Sequence, residues 1–232
     1  MAPFGLSALR SLLGRGVGNT PWQPPEASWS RRFGLGWESP YTVRYASNLD
    51  DGPDHGMPLG GFGAGCLGRS PSGAFNLWNL DGGEHWFGSI PDCQFALWEQ
   101  QGEDVRAHAL ATAPDRDDTD PSGGTPLSAW QWYPASTQGR STGTYAARYP
   151  LSWTHHEDVY RAGVLCEAFS PILPGDYQRT SYPVAVFRWQ FSNPTDQPLE
   201  LSLMLCWRNT VGWFTNTDAA AEVHFRDDGS PE

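Results

Sequence analysis

Apolar residues recur with a period of two along most of the chain, in short runs broken by turn residues. In VAVFRWQF, Ala185, Phe187, Trp189 and Phe191 share one parity, and in LELSLMLCWR so do Leu199, Leu201, Leu203, Leu205 and Trp207. The other parity of that second run opens polar at Glu200 and Ser202 and turns apolar at Met204 and Cys206. Two one-faced runs around the turn SNPTDQP predict an antiparallel hairpin whose far end enters the core. Upstream, Tyr160, Ala162, Val164, Cys166 and Ala168 mark another one-faced strand.

Turn chemistry places two further hairpins. Ser70-Pro71-Ser72-Gly73 suits a type I turn, with Ser first, Pro second and Gly fourth. It separates a strand near Ala64–Arg69 from one at Phe75–Leu80. Gln94–Glu99 and Asp104–Ala109 are joined across Gln100-Gln101-Gly102-Glu103. Strands without alternating helices predict an all-β fold, an antiparallel β-sandwich, over a parallel α/β sheet. Residues 1–40 read as an extended lead-in, with Leu6, Leu9, Leu12 and Leu13 spaced for a short N-terminal helix, and residues 41–232 as the sandwich. The stretch 111–126 reads as an acidic, Pro- and Gly-rich surface loop.

Composition narrows the function classes. The chain has 232 residues and a formal charge of −11, with fifteen basic residues, all Arg. That balance argues against nucleic acid, whose binding rests on basic patches. No run approaches the roughly 20 apolar residues of a membrane span, so the expected location is cytoplasmic. The cysteines Cys66, Cys93, Cys166 and Cys206 form no C-x-x-C pair, and buried free thiols are expected.

Gly63-Ala64-Gly65-Cys66-Leu67-Gly68 matches G-x-G-x-x-G in form. A dinucleotide site needs a core strand before the first glycine and a helix after the last. Here DDGPDHGMPLG precedes it and RSPSG follows, so close backbone approach in a β-turn segment is the better account, with no cofactor. His155 and His156 are adjacent on a strand and diverge to opposite faces, which disfavours a metal pair. In LDGGEHWF, Glu84, His85 and Trp86 either present carboxylate, imidazole and indole to a sugar or form a hairpin loop with a packing Trp. The residues by themselves single out no catalytic centre and no metal site.

Two blocks carry a family resemblance. PLGGFGAGCLGRSPSGAFNLWNLDGG resembles the glycine-rich opening of the N-terminal domain of glycoside hydrolase family 116, the bacterial β-glucosidases and non-lysosomal glucosylceramidases. RYPLSWTHHEDVYRAGVLCEAFSPILPGDYQRTSYPVAVFRWQFSNPTDQPLELSLMLCWRNTVGWF resembles the same domain again, most specifically through SPILPGDY and PVAVFRW. The resemblance implies a retaining β-glycosidase in which a β-sandwich packs on a C-terminal (α/α)₆ catalytic domain holding a Glu nucleophile and an Asp acid/base. No residue here matches those two positions. The chain is expected to be an incomplete N-terminal domain, inactive alone, whose partners are that catalytic domain and a β-glucoside or glucosyl-lipid. The resemblance favours Glu84, His85 and Trp86 as substrate-binding residues at the rim of a sugar site. A free-standing carbohydrate-binding module is the alternative.

Overall fold

The computed structural model describes residues 22–33, 55–80, 85–114 and 127–210. The short helix expected near Leu6–Leu13, and residues 115–126 of the acidic loop, lie outside them. In chain order the strands are β1 (Trp29–Arg32), β2 (Pro58–Leu59), β3 (Cys66–Arg69), β4 (Phe75–Asn79), β5 (Trp86–Phe87), β6 (Gln94–Gln101), β7 (Asp104–Ala109), β8 (Ser136–Thr137), β9 (Arg140–Ser141), β10 (Gly143–Arg148), β11 (Leu151–His156), β12 (Gly163–Phe169), β13 (Val186–Ser192) and β14 (Glu200–Cys206). Among the described residues one α-helical turn, α1, spans Tyr177–Thr180.

The strands form a five-stranded sheet, β1-β10-β11-β12-β13, a three-stranded sheet, β14-β6-β7, a four-stranded sheet, β2-β3-β4-β5, and the small pair β8-β9. Every ladder between them is antiparallel. The chain is therefore the all-β antiparallel sandwich that the period-two pattern predicts. β1 falls within the lead-in, where it edges the five-stranded sheet against β10.

Aromatic side chains fill the space between the sheets. Phe187 on β13 meets Phe75 on β4 edge-on at 5.6 Å and Phe95 on β6 at 5.1 Å. Trp189 meets Phe95 at 5.0 Å. Phe75, Trp78, Leu97, Tyr145 and Val164 are buried around them. Burial of large apolar side chains is worth roughly 1.5–3 kcal/mol each, so this layer supplies the main cohesion between sheets. The predicted run Tyr160, Ala162, Val164, Cys166, Ala168 is buried throughout.

Both predicted turns are present. The Gly73 N–H donates to the Ser70 carbonyl at 2.9 Å, closing the turn between β3 and β4. The β6–β7 loop is tighter than expected: Gln101 pairs with Asp104, leaving only Gly102 and Glu103 between strands. Gly102 has φ +61°, the left-handed geometry that a two-residue hairpin demands at its first loop position.

The late hairpin is corrected. β13 pairs with β12, and β14 pairs with β6, about a hundred residues earlier. Alternation correctly puts Phe187, Trp189 and Phe191 toward the core, but it carries no information about which strand lies alongside. The turn SNPTDQP is an arch between two sheets. Its Asn193 side chain binds the Gln197 carbonyl at 2.8 Å, and Gln101 reaches across to Thr195 at 2.9 Å. Nor does the far end of β14 enter the core, because Leu203, Met204 and Leu205 are exposed.

Candidate functional site

The glycine-rich segment is built for backbone contact. β3 begins at Cys66, inside the G-x-G-x-x-G match, and a turn rather than a helix follows it at Ser70. That geometry lacks the helix N-terminus a pyrophosphate would require. A Cβ on Gly61 would fall 2.5 Å from the Ser181 carbonyl carbon and closer still to the Tyr182 oxygen. A Cβ on Gly68 would fall 2.5 Å from the His55 oxygen. Both neighbours are main chain, which cannot swing aside.

What receives the glycine loop is the loop after β12. The Phe62 N–H donates to the Thr180 carbonyl at 3.1 Å, and the Gly60 N–H donates to Ser170 Oγ at 2.6 Å. That receiving loop is held from within. Buried Thr180 both accepts from the Leu173 N–H at 2.9 Å and donates to the Leu173 carbonyl at 3.1 Å. Asp176 caps α1 by accepting from the Arg179 N–H at 3.0 Å, and that main-chain hydrogen bond, then the Arg179 guanidinium, holds its carboxyl below the usual range. The two blocks that carry the family resemblance thus meet in space. Around their junction Phe62, Tyr177 and Tyr182 stay at the surface, 52%, 76% and 50% exposed. Sequence reasoning missed this junction; its only trace was the quoted SPILPGDY run.

The second region is the edge of the four-stranded sheet. Glu84 lies outside the described residues. His85 is exposed and its ring stands 6.0 Å from Phe87, which in turn lies 4.3 Å from His55. Trp86 is half-buried and pairs with Trp78 across the β4–β5 ladder, with ring centroids 6.4 Å apart. Trp78 is anchored by its indole N–H on the Gly88 carbonyl at 2.8 Å and touches Trp207 at 5.6 Å. The structure therefore places Trp86 on the edge strand β5 with His85 just before it, an imidazole outside and an indole tilted against a fixed aromatic base. Such a surface can cover the apolar face of a sugar ring.

Two buried carboxylates elsewhere, Glu99 and Glu167, are occupied in holding the fold. Glu99, fully buried, accepts from the Arg161 N–H at 2.9 Å and the Ala162 N–H at 2.8 Å. Glu167 accepts from the Trp153 indole at 3.0 Å and faces the Arg188 guanidinium at 3.0 Å. His155 faces Glu157 at 3.3 Å, whereas His156 is buried between Phe33, Tyr133 and Trp189, so the two imidazoles diverge as expected. Among the described residues no group of three His, Cys, Asp or Glu side chains is placed to hold a metal ion. All four cysteines are free, and burial pushes the Cys93 and Cys166 thiols up to about 12, so neither is poised as a nucleophile. No helix among the described residues is long and apolar enough to cross a membrane.

The sequence matches the family described as beta-glucosidase 2, glycosyl-hydrolase family 116 N-term, over residues 56–232. Those residues contain the glycine loop, its receiving loop and every described strand except β1. The chain belongs to the N-terminal domain family of the family 116 glycosyl hydrolases.

Proposed function

We propose that this chain is the sandwich segment of a retaining β-glucosidase or glucosylceramidase-type enzyme, and that it supports a separate (α/α)₆ catalytic domain. The observation that carries the reading is the junction of the glycine loop with the loop containing Ser181 and Tyr182. It fixes two segments backbone to backbone and leaves Phe62, Tyr177 and Tyr182 displayed on a rigid base. Rigidity at the surface suits a docking platform, since little further ordering is needed when a partner seats.

In this reading the chemistry belongs to the catalytic domain. A carboxylate attacks the anomeric carbon while a second carboxylic acid protonates the leaving oxygen, and water then releases the sugar. Glu84, His85 and Trp86 border the cleft, with Trp86 as the stacking surface and His85 as a hydrogen-bonding rim. The enzyme acts on a β-glucoside or glucosyl-lipid in the cytoplasm, and this chain alone does not turn over substrate.

The test is made in a whole family 116 enzyme carrying this segment. His85→Ala leaves the folded stability unchanged, because the ring is exposed, and raises KM for a β-glucoside several-fold. An unchanged KM in both His85→Ala and Glu84→Gln removes the rim role. The alternative, a free-standing carbohydrate-binding module, is favoured by the Trp-rich sheet edge. Isothermal titration of the 232-residue chain with glucosides separates the two, since saturable binding without a catalytic domain supports the module.

A further inference from the structure

Among the described residues, the interior of the sandwich contains a cation without a counter-ion. Arg69 leaves the end of β3 and lies wholly inside the core, only 4% exposed. Its guanidinium donates to Thr154 Oγ1 at 3.1 Å and to the Leu110 carbonyl at 2.8 Å. It stands 5.8 Å from the Phe95 ring centre and 5.6 Å from that of Trp189. Among the described residues no carboxylate pairs with it. Glu167, the nearest in sequence to its neighbour Cys166, lies on the opposite parity of β12 and is engaged by Trp153 and Arg188.

The surrounding groups are short of acceptors. Thr154, Cys166 and Trp189 stand side by side on β11, β12 and β13, with His156 two residues along from Thr154. Arg69 Nε, the Trp189 indole nitrogen and both His156 ring nitrogens are buried without a hydrogen-bond partner. Guanidinium and indole are donors only, and a neutral imidazole keeps one N–H. Burying such donors unpaired is costly, and burying an unpaired charge more so.

We propose that the sandwich interior binds a small monovalent anion of the halide class, held by Arg69, Trp189 and His156. A water molecule would relieve some donors, but it brings two more and no charge. A halide is acceptor-only and supplies the missing negative charge, tying β3 to β11 and β13 across the core.

Two measurements on the 232-residue chain test this. In crystals soaked in sodium bromide, an anomalous peak is expected within hydrogen-bonding distance, about 3.3 Å, of Arg69 Nε. In solution at constant ionic strength, replacing gluconate by bromide should raise the unfolding midpoint by about 3–6 °C per tenfold concentration above half-saturation. Arg69→Met abolishes that dependence; Trp189→Phe, which keeps the ring and removes the N–H, weakens it. No anomalous peak, or density for water alone, overturns the proposal. So does a peak without any midpoint shift, which is binding at crystal concentration only.

Discussion

The carbonyl of Tyr182 closes over Gly61 so tightly that the glycine has no room for a single methyl group. That contact joins residues more than a hundred positions apart and explains the glycine richness without invoking a ligand. Its cost on substitution is steric alone, because Gly61 does not occupy the left-handed region. Gly63, two residues on, has φ +71° and open space around it. Gly61→Ala should therefore destabilise the chain by about 2–3 kcal/mol through overpacking, and Gly63→Ala by about 1 kcal/mol through backbone strain. Urea denaturation of both variants checks the order, and equal losses contradict the close approach.

Glu99 holds the approach to β12. Both its carboxylate oxygens accept main-chain N–H groups in a fully buried setting, with the Arg161 guanidinium 3.7 Å away. Glu99→Gln turns one accepting oxygen into an NH₂ that confronts an N–H donor. A loss of about 2–4 kcal/mol is expected, against less than about 0.5 kcal/mol for Glu103→Gln on the exposed hairpin loop. Chemical denaturation at neutral pH compares the two.

Acid sensitivity follows from His156. Burial, and then the Arg69 charge, hold its pKa well below the ordinary 6.5. The unfolded chain therefore binds a proton that the folded one refuses. Stability from this group is full above about pH 6.5 and is lost as pH falls below it, at up to about 1.4 kcal/mol per pH unit. His108 and His155 are shifted in the same direction by burial. Thermal scans at pH 7.5 and 5.5 should show a clear fall in midpoint, smaller in His156→Phe. An identical fall in that variant assigns the acid sensitivity elsewhere.

β14 lines up Leu203 against Leu97 of β6, yet the two differ in burial. Leu97 is 1% exposed and Leu203 38%. Leu97→Ala should cost about 2–5 kcal/mol, while Leu205→Lys, on the exposed stretch, should cost under about 1 kcal/mol and reduce self-association. Light scattering and thermal unfolding together read both effects.

These elements show where sequence reading works. Alternation identified the inward residues of β12 and β13 because a strand's parity is a local property. Gly102 and the Ser70–Gly73 turn were legible because short turns demand particular residue types. The pairing of β14 with β6 was not legible. The arch from Asn193 to Pro198 contains ordinary turn residues, and only long-range packing decides whether such a loop reverses a strand beside its neighbour or carries it to another sheet. Arg69 was equally hidden, since a lone Arg after a glycine reads as a strand end at the surface. Of the residues proposed for a sugar rim, Trp86 lies on the edge strand β5 with His85 just before it, whereas the proposed role depends on a catalytic domain whose positions no residue of this chain encodes.

The most direct test of the account is aryl β-glucoside hydrolysis by the purified 232-residue chain, alone and then mixed with a separately produced family 116 catalytic domain. A supporting, non-catalytic segment gives no turnover alone and raises the activity or thermal midpoint of the added domain. Turnover by the chain alone would contradict the absence of a catalytic pair, and no effect on the added domain would contradict the platform role.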